Sequence, residues 1–451
     1  MDIIELLSVL SQCLDATSVR RLGAIVSGLL SMDGRVTMLG ISRWTEDGGS
    51  YRTMQRFYNT SIPWGMVLWV FFRNYLHKAE QEYLLVGDES VVTKAGQETH
   101  GVDRFFSSIF GKPVKGLCFM ARSIVSIEER KSYPLQVEQV VRSDAEIAEI
   151  ASRKRRKTSK KSSEAKGKPG RPQGCKTQEK RQIEWTPELS RVARMAAILL
   201  KRIGPLCRIR YFVLDGHFAN NNVMQMVRQS LGLHLISKLR NDSALYFLYD
   251  GPQKAKGRRR SYGDKVDYRT LPLHRLCSST KEQSVQTDIY QAPMLHKSFA
   301  DPINVVIIVK THLATQRRTH IVLFCSDLDL PYQRLIDSYR LRFQIEFNFR
   351  DAKQFWGFED FMNLNQTTVN NAVGLAFFMV NLSALLVQHF RLRTPNLGIL
   401  DLKAFFRTKR FVTEALKLLP DSVDKILLQN TLARFHPLGA IHSHRPPSLT
   451  P

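Results

Sequence analysis

Three acids in this chain sit where a carboxylate can do chemistry. Asp88 closes the apolar run "YLLVGD", Asp215 closes "RYFVLD", and Glu346 lies inside the aromatic stretch "YRLRFQIEFNFRDAK" at 339–353. Strand ends deliver their side chains to one edge of a sheet, so two acids that end neighbouring strands can converge. A third carboxylate, carried by a helix across that edge, completes an all-oxygen pocket. Hard donors of this kind suit Mg²⁺ or Mn²⁺. Two such ions about 4 Å apart can activate a water and stabilise the leaving oxygen of an in-line phosphoryl displacement. Taken singly, each acid also has a plainer use. A strand-end Asp, above all Asp215 before Gly216, can cap a turn.

The stretch around Glu346 asks why so apolar a segment keeps its charges in register. At about 100° per residue, Tyr339, Arg342, Glu346 and Lys353 fall within roughly 60° of one another on a helix. Leu341, Ile345, Phe349, Ala352 and Trp356 fill the adjoining face, which suits packing on a sheet. The spacing predicts one long helix from about Pro331, with an anchoring stripe beside a stripe holding an acid, two cations and a phenol. Ordinary i,i+4 pairing accounts for Arg342 with Glu346, but not for the Tyr and the Lys beside them.

The rest of the chain must position these groups. It has 451 residues, 43% of them hydrophobic, enough for two or three domains with cores. Lys and Arg number 66 against 41 Asp and Glu, a net charge of +25. With a pI near 9.9 this points to a polyanionic partner, nucleic acid first and an anionic membrane surface as the competitor. The six cysteines, Cys13, Cys118, Cys175, Cys207, Cys277 and Cys325, form no CxxC pair and no zinc spacing, so they read as reduced thiols of a cytosolic protein. The N-terminus has no secretory pattern. The most apolar window, 372–387, is interrupted by Asn381 and Ser383 and reads as a buried helix, not a membrane span.

Composition shifts divide the chain. Residues 1–78 read as short helices with Arg43, Arg52 and Arg56 between them, which suits a small DNA-binding domain or, more plainly, a helical cap. Residues 79–232 carry the strands "YLLVGDES", "GLCFMARSIVSIE" and "YPLQVEQVV", an amphipathic helix after Pro187, and the strand ending at Asp215. Within them lies a basic loop, 151–182, of net charge +11, too polar to fold alone. Its "KPGRP", with Lys168 and Arg171, resembles the centre of an AT-hook, a minor-groove peptide. Its plainer use is non-specific phosphate affinity. Residues 233–329 are strand-rich, from "LHLISKLR" through "VDYRTLPLH" to "RTHIVLFCSD", and hold a second basic loop with Arg258, Arg259 and Arg260. Residues 330–366 hold the Glu346 helix, and 367–451 are helical with a loose tail.

With these residues set out, Tyr339-x2-Arg342-x3-Glu346-x6-Lys353 resembles the Y-(2)-R-(3)-E-(6)-K signature of bacterial insertion-sequence transposases of the family-4 type, which are DDE transposases. "VGDESVVTKAG" and "FVLDGHFANNNVM" resemble the blocks holding the first and second catalytic acids. The resemblance implies an α/β ribonuclease-H-like core interrupted by a mostly β insertion, with helical N-terminal and C-terminal parts. It implies Asp88, Asp215 and Glu346 as metal ligands for two Mg²⁺ ions, with Mn²⁺ able to substitute. Tyr339, Arg342 and Lys353 would contact phosphates at the element's ends. The implied partners are double-stranded DNA, as terminal inverted repeats and as target, and a second copy of the chain, in the cytoplasm at the bacterial nucleoid. The implied reaction is cut-and-paste transposition through a hairpin on the transposon end. Some relatives hold a flipped base on a tryptophan of the β insertion. None of Trp44, Trp64, Trp69, Trp185 and Trp356 lies in 233–329, so Tyr246, Phe247 or another aromatic would have to serve. His217 could orient a ligand or phosphate, or satisfy a turn. Glu89 points away from Asp88 if its strand continues. Two other readings stay open: an inactive, transposase-derived DNA-binding protein, and a nuclease of the same core without strand transfer.

Overall fold

A computed structural model describes residues 2–45, 49–148, 152, 179–204, 206–392, 394–417, 424, 426–428 and 430. The basic-loop positions Lys168 and Arg171 lie outside them. The described strands form one twelve-stranded sheet. Its first half is built from β1 (Tyr83–Thr93), β2 (Asp103–Ser107), β3 (Lys112–Ser126), β4 (Lys131–Val140), β5 (Ile209–Val213) and β6 (His234–Leu239). β1 pairs antiparallel with β3, and β3 with β4. On its other side β1 pairs parallel with β5, and β5 parallel with β6. The order β4-β3-β1-β5-β6, three antiparallel strands followed by two parallel ones, fits a ribonuclease-H-like α/β core.

The sheet does not stop there. β7 (Leu245–Leu248), β8 (Tyr262–Lys265), β9 (Leu276–Glu282), β10 (Val285–His296), β11 (Ile303–His312) and β12 (Arg318–Cys325) extend it, because β12 pairs antiparallel with β6. "LHLISKLR" therefore holds a strand that pairs with the first Asp215 strand, and the later strands continue the same surface. "VDYRTLPLH", expected as a strand, is a turn and a short 3₁₀ segment instead. Asp267 accepts from Arg269 N at 2.9 Å and from Thr270 Oγ1 at 2.9 Å, a local turn that competes with a ladder, and Pro272 removes a donor.

Helices cover both faces. α1 (Ile3–Ser8), α2 (Ala16–Ser31), α3 (Met38–Trp44), α4 (Tyr51–Asn59) and α5 (Trp64–Tyr75) precede the sheet. Side-chain caps from Asp2, Asp15, Thr37 and Ser50 start the first four. α6 (Pro187–Ile203) follows an equally local rule. Thr186 caps Leu189 N, Pro187 and Glu188 open the helix, and Lys201 and Arg202 close it. α7 (Asn221–Leu231) lies between β5 and β6. α8 (Tyr332–Leu341), α9 (Gln344–Trp356), α10 (Gln366–Arg391) and α11 (Ile399–Leu416) end the described chain.

The first and last helices share one core. Asn371 on α10 accepts from Trp64 Nε1 at 2.8 Å and donates to Tyr58 O at 2.8 Å. Arg407 on α11 donates to Ser31 O at 3.1 Å. Gly374 lets α10 lie directly on Trp64, since a Cβ there would stand 2.1 Å from the indole ring. α10 is long and apolar enough to cross a membrane, but it packs against α4, α5, α9 and β4, and most of it is buried.

Candidate active site

The pairing of β1 with β5 sets the two aspartates side by side. Val86 lies opposite Val213, the last pair in the parallel ladder. Asp88 and Asp215 each come two residues later, so they stand at the same level along neighbouring strands, which are spaced about 4.8 Å apart where they pair. Asp88 does not end its strand, as the sequence suggested. β1 runs on to Thr93 because its far half still pairs with β3, and Asp88 itself faces Ala121. What ends at Asp88 is the parallel neighbour. β5 stops because Asp215 turns the chain, its Oδ1 accepting from His217 N at 3.2 Å, and Ser237 Oγ donates to Asp215 O at 2.7 Å. The turn-capping use and a use in the site thus coexist in Asp215.

α9 brings the third acid. Ile345, Phe349, Ala352 and Trp356 are buried, which is the stripe the sequence assigned to packing. Asn348 ties the same helix to the sheet by donating to Ser123 Oγ at 3.1 Å and Ser132 Oγ at 2.7 Å. The expected single helix is two. Between α8 and α9, Phe343 N bonds Arg340 O, Ile345 N bonds Arg342 O and Glu346 N bonds Phe343 O, each at 3.1 Å. These bonds span three residues, a 3₁₀ turn that breaks the helical register.

Arg342 sits in that turn and links the acids. Its Nη1 donates to Asp88 Oδ2 at 3.1 Å and its Nη2 to Glu346 Oε1 at 2.9 Å. The guanidinium side chain is 14% exposed, Asp88 23% and Glu346 40%. Burial pushes the Asp88 carboxyl up to about 6. Arg342 and the Glu89 N–H oppose the rise, and the charges of Asp215 and Glu346 add to it. Burial also raises the Tyr339 hydroxyl, with Arg342 working against it and Asp215 and Glu346 adding to it. Asp88, Asp215, Tyr339, Arg342 and Glu346 therefore share one electrostatic neighbourhood.

Other expected residues lie apart. Lys353 is two helical turns, about 10 Å, beyond Glu346, and pairs with Glu359 at 2.9 Å. Arg258, Arg259 and Arg260 occupy the exposed loop between β7 and β8, at the far end of the sheet. Arg260 is packed over the Tyr249 ring at 4.4 Å. Tyr246 packs edge-on against Tyr262, with Lys297 over its ring at 5.2 Å.

The reading of the sequence missed what lies on the other side of β1. Glu89 accepts from Cys118 Sγ at 3.7 Å. Its charge is felt by His217, which bonds Glu188 on α6 at 3.1 Å. α6 and α9 thus cover opposite faces. The Glu188 bond raises the His217 ring to about 8, against its burial and with help from Asp215 and Glu89. Arg122 is fully buried over the Phe212 ring at 5.5 Å, and burial lowers it to about 10. Gly87, beside Asp88, leaves room for that guanidinium, since a Cβ would lie 2.4 Å from Arg122 Nη1. Gly87→Ala should therefore cost about 1–3 kcal/mol by overpacking, read as a lower midpoint in urea unfolding.

Asp88 gives a second expectation. A carboxyl raised from 3.8 to about 6 holds its proton more tightly folded than unfolded. The contribution of this group to stability is then fully present below about pH 4 and is lost as pH rises through 6, an amount on the order of 3 kcal/mol. Asp88→Asn should flatten this part of the pH profile of unfolding.

Among the described residues, no three of His, Cys, Asp and Glu stand together as a group that could hold a metal ion as they are placed. The donor set nonetheless fits a divalent cation. It is all carboxylate, and Asp88 carries an acid's charge that Arg342 only partly offsets. A cation held by Asp88, Asp215 and Glu346 would relieve it. A cavity of about 530 Å³ beside this helix is lined by residues that include Lys131, Asp351 and Arg391 and by none of the three acids.

A family model described as DDE superfamily endonuclease matches residues 9–292, more than half of the chain. The chain belongs to this family. The matched segment contains Asp88 and Asp215 and ends before Glu346 and the rest of the 339–353 stretch. The family acts on DNA and is typically dependent on divalent metal. No curated protein matches the chain.

Proposed function

We propose that this DDE endonuclease is a cut-and-paste DNA transposase. It cuts at the terminal inverted repeats of its element and joins the freed ends to target DNA. The observation that carries the reading is the level pairing of Asp88 and Asp215 on parallel strands, with Glu346 tied to Asp88 through Arg342. Asp88, Asp215 and Glu346 hold Mg²⁺, with Mn²⁺ as a substitute and two ions as the full complement. Divalent cations held there would supply activation of the attacking water and charge stabilisation at phosphorus.

The chain's own residues do the rest. In the first step a water oxygen bonds to phosphorus, the P–O3′ bond breaks, and the 3′ oxygen leaves with a proton. In the second, the oxygen of that 3′-OH bonds to a phosphorus of the opposite strand, the P–O3′ bond to the flanking DNA breaks, and the flanking 3′ oxygen leaves with the proton, which closes a hairpin. A water oxygen then bonds to the hairpin phosphorus, the P–O3′ bond breaks, and the 3′-OH is restored. In the third, the oxygen of this 3′-OH bonds to a phosphorus of target DNA, whose P–O3′ bond breaks, and the target's 3′ oxygen leaves with the proton. Arg342 keeps two carboxylates from repelling each other and offers its remaining N–H groups to phosphate. Tyr339 adds a hydroxyl donor at the same place. Lys353 gives a point charge one step along the strand, and Arg258, Arg259, Arg260, Lys168 and Arg171 add backbone contacts. Two copies act on paired ends.

The test is a labelled duplex carrying the inverted repeat that flanks the gene, incubated with protein and Mg²⁺ or Mn²⁺ and run on a denaturing gel. Cutting at the repeat boundary, followed by joining to a plasmid, is expected. A slow, self-complementary product marks the hairpin. Cutting without any joining would favour the nuclease reading. Repeat-specific binding without cutting would favour the DNA-binding derivative.

A further inference from the structure

The β2–β3 hairpin at the outer edge of the sheet carries a surface that the fold itself does not use. Phe105 and Ser107 point inward, with Phe105 buried beneath the Arg142 guanidinium at 4.4 Å. Arg104 and Phe106 therefore point outward. At the tip, Phe106, Ile109 and Phe110 are 65%, 79% and 55% exposed. Three large apolar side chains in water at one hairpin end mark an interaction site more often than chance. The turn closes at Gly111, whose φ of +62° favours glycine.

A second observation says what the partner is. Arg104 stands directly opposite Lys115 in the antiparallel register, and Phe106 opposite Pro113. Like charges directly opposed destabilise a sheet. Neither has a carboxylate partner among the described residues. Arg104 donates to Pro113 O at 3.2 Å and Lys115 to Ala95 O at 3.1 Å. Asp103, the acid next to Arg104 in sequence, is held by Arg142 at 2.7 Å. A polyanion would relieve this pair.

We propose that this hairpin is a DNA wedge. Phe106, Ile109 and Phe110 press between base steps while Arg104 and Lys115 hold the adjoining phosphates, the combination by which apolar side chains unstack and kink a duplex. The inference rests on the reading that the chain acts on DNA. Distance fits it. Asp88 faces Ala121 on β3, and the strand continues nine residues from there to Lys112. At about 3.3 Å per residue the tip stands roughly 30 Å from the acids. That is close to one turn of duplex at about 3.4 Å per base pair.

The experiment uses the full chain and a duplex with 2-aminopurine placed in turn at steps about one helical turn from the cleavage position. Wild type should bind and raise the fluorescence at one or two adjacent steps. The triple change Phe106→Ser, Ile109→Ser and Phe110→Ser should lose that rise and weaken binding about tenfold, with the unfolding midpoint unchanged. Phe106→Leu, Ile109→Leu and Phe110→Leu together should retain most of both. Equal fluorescence and affinity for the serine variant would overturn the wedge while leaving DNA binding in place. So would intact unstacking with lost self-association in sedimentation, or with lost binding to phosphatidylserine vesicles, which would assign the tip to a second copy or to a membrane. If wild type binds no duplex, the DNA reading falls, and the wedge with it.

Discussion

Glu346→Ala should reduce DNA strand cleavage at least about a thousandfold and leave duplex binding within a factor of about three. The asymmetry follows from where Glu346 stands. Its side chain is 40% exposed and makes one described ionic contact, with Arg342, which keeps Asp88 as a partner when Glu346 is gone. An ion pair this open contributes well under about 1 kcal/mol to folding, so the protein should unfold at nearly the wild-type temperature. In the proposed cation site, removing one oxygen donor acts on the transition state instead, where losing a single aligned electrostatic partner costs on the order of 10²–10³ and more when a cation is lost with it. Single-turnover cleavage in Mg²⁺ and filter binding on the same duplex separate the two effects. Binding and cleavage falling together would mean that Glu346 holds DNA, not a cation.

Arg342→Ala should lower cleavage about a hundredfold at pH 7, and part of that loss should return as pH is raised toward 9. Arg342 is the main opposing influence on an Asp88 carboxyl already pushed up to about 6. Without it the carboxyl titrates higher, a smaller fraction is ionised at pH 7, and alkali restores ionisation. Stability should fall by about 2 kcal/mol, because charged hydrogen bonds to Asp88 and Glu346 are lost. Arg342→Lys keeps the charge but cannot fork between two carboxylates, so it should recover stability only in part. A loss that no pH restores would show that Arg342 works by gripping phosphate alone.

Much of this site was legible in the sequence because two of its rules are local. An apolar run ending in an acid announces a strand that delivers a carboxylate, and helical spacing sorted Ile345, Phe349, Ala352 and Trp356 onto the sheet. The rest depends on tertiary contacts. Nothing in Val86 or Val213 says that they pair, yet that one register sets Asp88 level with Asp215. The turn between α8 and α9 contains neither proline nor glycine. Only the position of Arg342 between Asp88 and Glu346 accompanies it, and that bridge crosses 254 residues of chain. Phosphate was the partner the sequence suggested for Arg342, where the structure gives it two acids. The extent of the sheet was hidden for the same reason, since the pairing of β12 with β6 joins strand-rich segments that composition had set apart. β2 was not read at all, being five residues long and without alternation strong enough to stand out.

The most direct test of the central claim, that Asp88, Asp215 and Glu346 form one cation site, is iron-mediated cleavage of the protein itself. Fe²⁺ bound in place of Mg²⁺, with ascorbate and peroxide, cuts the backbone next to where it is held. Cuts beside all three residues, suppressed by excess Mg²⁺ and lost together in Glu346→Ala, are predicted. Cuts beside only one of the three, or at Glu188 and His217 on the opposite face, would contradict the account.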